Sequence, residues 1–166
     1  MKKAGSVVVA LSISLFIYVF YRSEKTVVNE LIIMILSFDT YAALKSNIVQ
    51  TIPLSDSIVY ALPGGLWVFC ATALSQNFYL RMDGYEFPVV HVPAMFAVGL
   101  ELCQLLRLTR GTFDFLDVLS FGLFWLLAVH SFKPDRSCQN TLSPFTVDGF
   151  ICLACFFAVF LAHVNR

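Results

Sequence analysis

Residues 88–132 read PVVHVPAMFAVGLELCQLLRLTRGTFDFLDVLSFGLFWLLAVHSF. Two apolar runs, Pro88 to Leu108 and Leu116 to Phe132, flank a short polar centre. Each run approaches the roughly 20 mainly apolar residues that a membrane-spanning α-helix requires. Three more runs of the same kind lie outward from this pair. Ala4 to Tyr21 has basic residues at both ends, Ile58 to Ser75 carries Pro63-Gly64-Gly65 near its start, and Val147 to Val164 closes the chain. The expected fold is therefore all-α: a polytopic transmembrane helical bundle of about five spans (4–21, 58–75, 88–108, 116–132 and 147–164), forming a single integral membrane domain over residues 1–166. Gln76 to Phe87 reads as a polar turn with Arg81, Asp83, Gly84 and Glu86, and Lys133 to Thr146 as a loop with Pro134, Asp135, Arg136 and Pro144.

Composition agrees with this reading. The chain is 58% hydrophobic and 13% charged, about half the charged share of soluble domains. It holds 17 Phe, and its mean hydropathy is +0.78. In a bilayer, lipid solvates the outward-facing side chains that water would have to meet in a soluble fold. Eleven basic and 11 acidic residues cancel, so no net field points to a nucleic-acid partner. Cys70, Cys103, Cys152 and Cys155 sit within apolar runs, where a thiol behaves as a small hydrophobe. Only Cys138 lies in a polar segment, so a disulfide framework is not expected.

Thr26 to Ser57 holds one short apolar stretch, Leu31 to Phe38, flanked by Asn29, Glu30 and Asp39. Val28, Leu31, Ile32, Ile35 and Phe38 share a helical face. That pattern predicts an amphipathic helix over about 27–44 lying in the membrane interface, since a sixth span would bury Glu30 or Asp39. Lys2 and Lys3 before the first span suit a retained signal-anchor with a cytoplasmic N-terminus. The overall basic count is nearly balanced in that orientation. Lys2, Lys3, Arg81, Lys133 and Arg136 would face inward, and Arg22, Lys25, Lys45, Arg107, Arg110 and Arg166 outward.

The polar centre carries the chemistry. Glu101 and Gln104 are helical neighbours on one face of the third span. Glu101 lies about two turns deeper than Arg110, where a carboxylate needs a partner, a proton or a water-filled cleft. Arg107 and Arg110 can reach back towards it while Gly111 lets the chain reverse, and Asp114 and Asp117 begin the fourth span, again on one face. Capping accounts for part of this array. Asp114 is placed as an N-cap and Asp117 as its acidic partner, both complementing the helix dipole, and the arginines suit interfacial anchoring. Capping does not account for Glu101.

The order Glu101-x-x-Gln104, Arg110-Gly111, Asp114-x-x-Asp117 between consecutive spans resembles the VanZ-like family of small bacterial membrane proteins. The resemblance covers about a tenth of the chain, with further likeness in Leu62-Pro63-Gly64-Gly65-Leu66-Trp67. Family members often carry Asn and paired Gly after the last Asp, where Ser120, Phe121 and Gly122 stand here. The resemblance implies a multi-pass protein of the cytoplasmic (inner) membrane in the cell envelope, linked through the family's namesake to resistance against teicoplanin-type glycopeptide antibiotics. It makes Glu101, Gln104, Arg110, Asp114 and Asp117 the ligand-binding residues.

Three functions compete on these residues. One is binding of a lipid headgroup, a cell-wall lipid intermediate or a glycopeptide antibiotic. The second is a membrane enzyme acting on a lipid-linked substrate, with Glu101 as general acid or base. The third is an accessory subunit of a membrane complex, with the charges locking two helices. His91 lies nearly three turns from Glu101 and is expected near the opposite interface; His130 and His163 lie at span ends. No histidine spacing suggests zinc, and no phosphate loop or nucleophile elbow is present, so neither a metal nor a cofactor is expected.

Overall fold

The structure, a computed structural model, describes residues 2–22, 27–82, 85–109, 111–132, 139–140 and 149–150. It is mostly helical. Helix α1 spans Lys2–Tyr21, α2 Val27–Leu36, α3 Phe38–Thr51, α4 Asp56–Ser75, α5 Val92–Leu105 and α6 Phe115–Ser131. Two helical stretches, Lys3–Tyr21 and Asp56–Ser75, are long and apolar enough to cross a membrane; Val89–Leu105 and Phe115–Ser131 are shorter apolar helical stretches. The hydrophobic run at 147–164 lies outside the described residues apart from the helical pair Gly149 and Phe150.

Helix α4 is the central element. Its Val68, Ala73, Thr72 and Ser75 are fully buried, and α1, α5 and α6 pack around it. Helix α1 runs antiparallel to α4, as three contacts along its length record: Cys70 Sγ to the Val7 carbonyl (3.6 Å), Ser14 Oγ to the Pro63 carbonyl (3.4 Å) and Arg22 Nη2 to the Tyr60 carbonyl (3.3 Å). Val7, Ala10, Ser14 and Ile17 recur at helical spacing and face inward, leaving Val8, Val9, Leu11, Ile13, Leu15 and Phe16 exposed. Helix α6 runs parallel to α4. Near its start Ser120 Oγ donates to the Ala61 carbonyl (3.0 Å), and near its end Gln76 Nε2 donates to the carbonyls of Ala128 and Phe132 (2.9 Å each). The helices meet closely because a Cβ on Gly65 would strike Ser120 Oγ and the Phe124 ring. Gly99, by contrast, faces open space and takes no part in close packing. Pro63 lies inside α4 rather than at its start. It removes the N–H that would bond the Val59 carbonyl, and side-chain donors from α1 and α6 meet the backbone on either side of it.

The polar turn expected at 76–87 is a β-hairpin, so the all-helical expectation holds for the bundle but not for this connection. Strand β1 (Phe78–Met82) pairs antiparallel with β2 (Tyr85–Pro88), and β3 (Gln139–Asn140) adds in parallel, giving the order β2-β1-β3. Aromatic and β-favouring residues flank Asp83-Gly84, the strongest two-residue hairpin signal in sequence. Arg81 and Glu86 are direct cross-strand partners and close an exposed ion pair at 3.4 Å. A 3-10 turn at Val89–His91 then leads into α5, which starts later and stops earlier than the run 88–108 suggests.

The segment read as one interfacial helix is two. Ser37, with φ 66°, breaks it, and α3 continues to Thr51. Docking on the end of α1 overrides the simple periodicity. Tyr41 is buried, donates its hydroxyl to the Val19 carbonyl (2.7 Å) and stacks on Phe20 at 6.4 Å. Burial pushes the Tyr41 hydroxyl above the usual phenol range. Lys45 Nζ donates to the Arg22 carbonyl (2.7 Å) and Tyr21 Oη to that of Ile52 (2.6 Å). The chain between α1 and α4 thus leaves and returns at one end of the bundle. At about 1.5 Å per residue, the ten residues of α2 fall far short of the roughly 30 Å of a bilayer core, and α3 carries Asp39, Lys45, Asn47 and Gln50, which a span would have to bury.

Candidate functional site

The C-terminal ends of α1 and α5 and the N-terminal ends of α4 and α6 converge at one end of the bundle, and the polar array lies there. Glu101, one turn from the end of α5, is 6% exposed. Its Oε2 accepts the backbone N–H of Asp114 at 3.3 Å. Asp114 in turn caps α6, its Oδ1 accepting from the Leu116 N–H at 2.8 Å. The capping reading of Asp114 therefore holds, and the same residue's backbone partners the buried carboxyl. Asp117 is half-buried, and its Oδ1 is shielded from solvent with no hydrogen-bond partner among the described residues. Glu101, Asp114 and Asp117 lie within electrostatic range of one another.

The turn between α5 and α6 has a local cause. The Leu108 N–H returns to the Cys103 carbonyl (2.8 Å) and that of Arg107 to Gln104 (2.9 Å), the two bonds of a Schellman motif. Arg107 occupies the left-handed position at φ 58°, a place usually taken by glycine. Gly111 has φ +129°, and a Cβ there would lie 2.9 Å from Gln104 Cδ. Gln104 thus folds its amide over Gly111 and helps close the turn. Of the five residues read as a site, Glu101, Gln104, Asp114 and Asp117 come together around this turn; Arg110 lies outside the described residues.

The structure adds residues that sequence spacing did not single out. Arg22 follows the end of α1 and reaches the same end of the bundle. Its guanidinium lies 4.9 Å over the Tyr18 ring and 5.6 Å over that of Tyr60. While Nη2 donates to the Tyr60 carbonyl, Nε is shielded from solvent without a hydrogen-bond partner among the described residues. The next carbonyl, that of Ala61, holds Ser120, which sits one turn beyond Asp117 on α6. Arg22 is also within electrostatic range of Asp117. Tyr18 and Arg22 are i and i+4 at the end of an apolar helix, a cation–π spacing visible in the sequence.

Other candidates lie elsewhere. His91 packs at 5.7 Å from the Trp125 ring at the opposite end of α5, and Trp125 Nε1 donates to the Val90 carbonyl (3.2 Å). His130 contacts the Leu126 carbonyl within its own helix (2.9 Å). Among the described residues, no three His, Cys, Asp or Glu side chains are placed to hold a metal ion. An open apolar cleft of about 650 Å³ between α1, α4 and α6, lined by Gly5, Val9, Ile13, Phe69 and Phe124 among others, belongs to the bundle's flank and not to the polar end. The chain matches no protein-family model, no curated protein and no solved structure.

Proposed function

We propose that the chain is a multi-pass protein of the cytoplasmic (inner) membrane, crossed by α1, α4, α5, α6 and the hydrophobic run at 147–164, that binds a polar lipid headgroup or a cell-wall lipid intermediate at the Glu101–Asp117 end of the bundle. The carrying observation is a carboxyl group, Glu101, buried among apolar helices and bonded to the Asp114 N–H, beside a second carboxyl, Asp117, whose Oδ1 is shielded with no partner among the described residues. Exposed apolar side chains support the membrane reading. Leu116, Leu119, Leu123, Leu126 and Leu127 form an outward stripe along α6, and Val8, Val9, Leu11 and Leu15 do so on α1. Surface patches of that extent mark contact with lipid or with another protein. The 17 residues of α6 reach about 26 Å, close to the bilayer core thickness. Exposed Met34, Ile35 and Phe38 at the α2–α3 elbow suit an interfacial position. A cytoplasmic N-terminus places the polar end on the outer face, where glycopeptide antibiotics and cell-wall intermediates are met, in keeping with the VanZ-like motif order.

Native mass spectrometry of the purified protein tests this reading. A specific co-purifying headgroup lipid, with photo-crosslinking of that lipid lost in Arg110→Ala, is the expected result. Disappearance of Glu101→Gln and Asp117→Asn from the membrane fraction, with no bound lipid in the wild type, would reduce the array to a helix lock.

A further inference from the structure

The geometry points to Arg22 and Asp117 as the two poles of one headgroup site: Arg22 takes a phosphodiester and Asp117 an ammonium, so the ligand is a zwitterionic phospholipid headgroup with N–H donors. This rests on the binding reading above and names its ligand class. Arg22 is pre-organised for an anion. Two tyrosine rings and a backbone carbonyl fix its plane, yet Nε, shielded from bulk water, has no acceptor among the described residues. A shielded donor without an acceptor costs free energy that a phosphate oxygen recovers, and the planar guanidinium suits phosphate better than an ammonium does. Asp117 offers the complement, a shielded carboxylate oxygen without a donor among the described residues.

The two groups are brought together by adjacent peptide units. Arg22 bonds the Tyr60 carbonyl and Ser120 the Ala61 carbonyl, and Asp117 stands one helical turn from Ser120 on the same face of α6. No direct Arg22–Asp117 ion pair closes within 4.0 Å, and both residues are only partly buried, so a ligand reaches them through their exposed atoms and the shielded Nε and Oδ1 lie directly behind. The sign of the surroundings selects between donor types. Glu101 and Asp114 add negative charge beside Asp117, which favours an ammonium over a neutral hydroxyl at that pole. A quaternary ammonium has no N–H to give and leaves Asp117 Oδ1 unsatisfied.

The test places the full chain in nanodiscs containing phosphatidylethanolamine, phosphatidylcholine and phosphatidylglycerol in equal amounts, and reads retained lipids by native mass spectrometry. Wild type is expected to retain phosphatidylethanolamine over phosphatidylcholine by about tenfold, the size of one charge-assisted hydrogen bond. Arg22→Gln should lower retention of all three lipids together, whereas Arg22→Lys, which keeps the charge but lacks the planar fork and its Nε, should restore only part of it. Asp117→Asn should lower phosphatidylethanolamine retention to the level of phosphatidylcholine and phosphatidylglycerol, abolishing the headgroup preference. Wild-type retention without headgroup preference overturns this assignment while leaving the broader binding reading intact. So does an unchanged lipid pattern in both Arg22→Gln and Asp117→Asn. Wild type that retains no phospholipid overturns both.

Discussion

Glu101 shows what a single residue can demand of its neighbours. Its carboxyl accepts the Asp114 N–H, so Glu101→Gln keeps an acceptor in place and should accumulate in the membrane like wild type. Glu101→Leu leaves that N–H without its partner and should cost about 1–3 kcal/mol, read as a lower midpoint in thermal unfolding of the detergent-purified protein. Gly111 is the second point of demand. Its φ of +129° and the Gln104 amide over it exclude a side chain, so Gly111→Ala should destabilise by roughly 1–3 kcal/mol. Arg107 is the reverse case. It stands in the left-handed position of a Schellman motif, so Arg107→Gly should leave stability unchanged or raise it by up to about 1 kcal/mol. Much of this was legible in sequence. A carboxyl deep in an apolar run, a Gly at a reversal and an Asp before a helix each carry their own reason. Arg22 was not, because its role depends on α1 and α4 running antiparallel, which puts residue 22 beside residue 60.

At the level of elements, four of the five apolar runs fall on helices among the described residues, two of them long enough to cross a membrane, while hydropathy marked the connections poorly. Transfer free energy identifies long apolar runs but says nothing about the pairing of a polar turn, so it marks 76–87 only as polar, although Asp83-Gly84 and its β-favouring flanks signal a hairpin. The break at Ser37 was equally hidden, because the apolar period passes through it and only the docking of Tyr41 on α1 sets the second helix direction. Ser37 holds φ 66° and ψ 154°, a region that suits glycine, so Ser37→Gly should raise the unfolding midpoint slightly and Ser37→Val should lower it. The α4–α6 contact depends on Gly65 and Gln76. Gly65→Leu must force the helices apart and should destabilise by about 1–3 kcal/mol or more. Gln76→Met should also lower the midpoint, because two carbonyls at the end of α6 lose their donor.

For the whole molecule, the arrangement of α1, α4, α5 and α6 has one consequence that outweighs the rest. Alternating directions put Arg22, Ser55, Thr112 and the Glu101–Asp117 array at one end, and the N-terminus and the β-hairpin at the other. The bundle buries Thr72, Ser75, Gln76 and Glu101 while exposing leucines and valines along its flanks, a distribution suited to lipid. Cysteine accessibility in intact cells tests that account most directly. Ser55→Cys, Thr112→Cys and Tyr85→Cys are introduced singly into a chain whose five native cysteines are replaced by serine or alanine. An impermeant thiol reagent should label Ser55→Cys and Thr112→Cys from outside the cell, and Tyr85→Cys only after the membrane is opened. Labelling of all three from the same side, or of Ser55→Cys and Thr112→Cys from opposite sides, would contradict it.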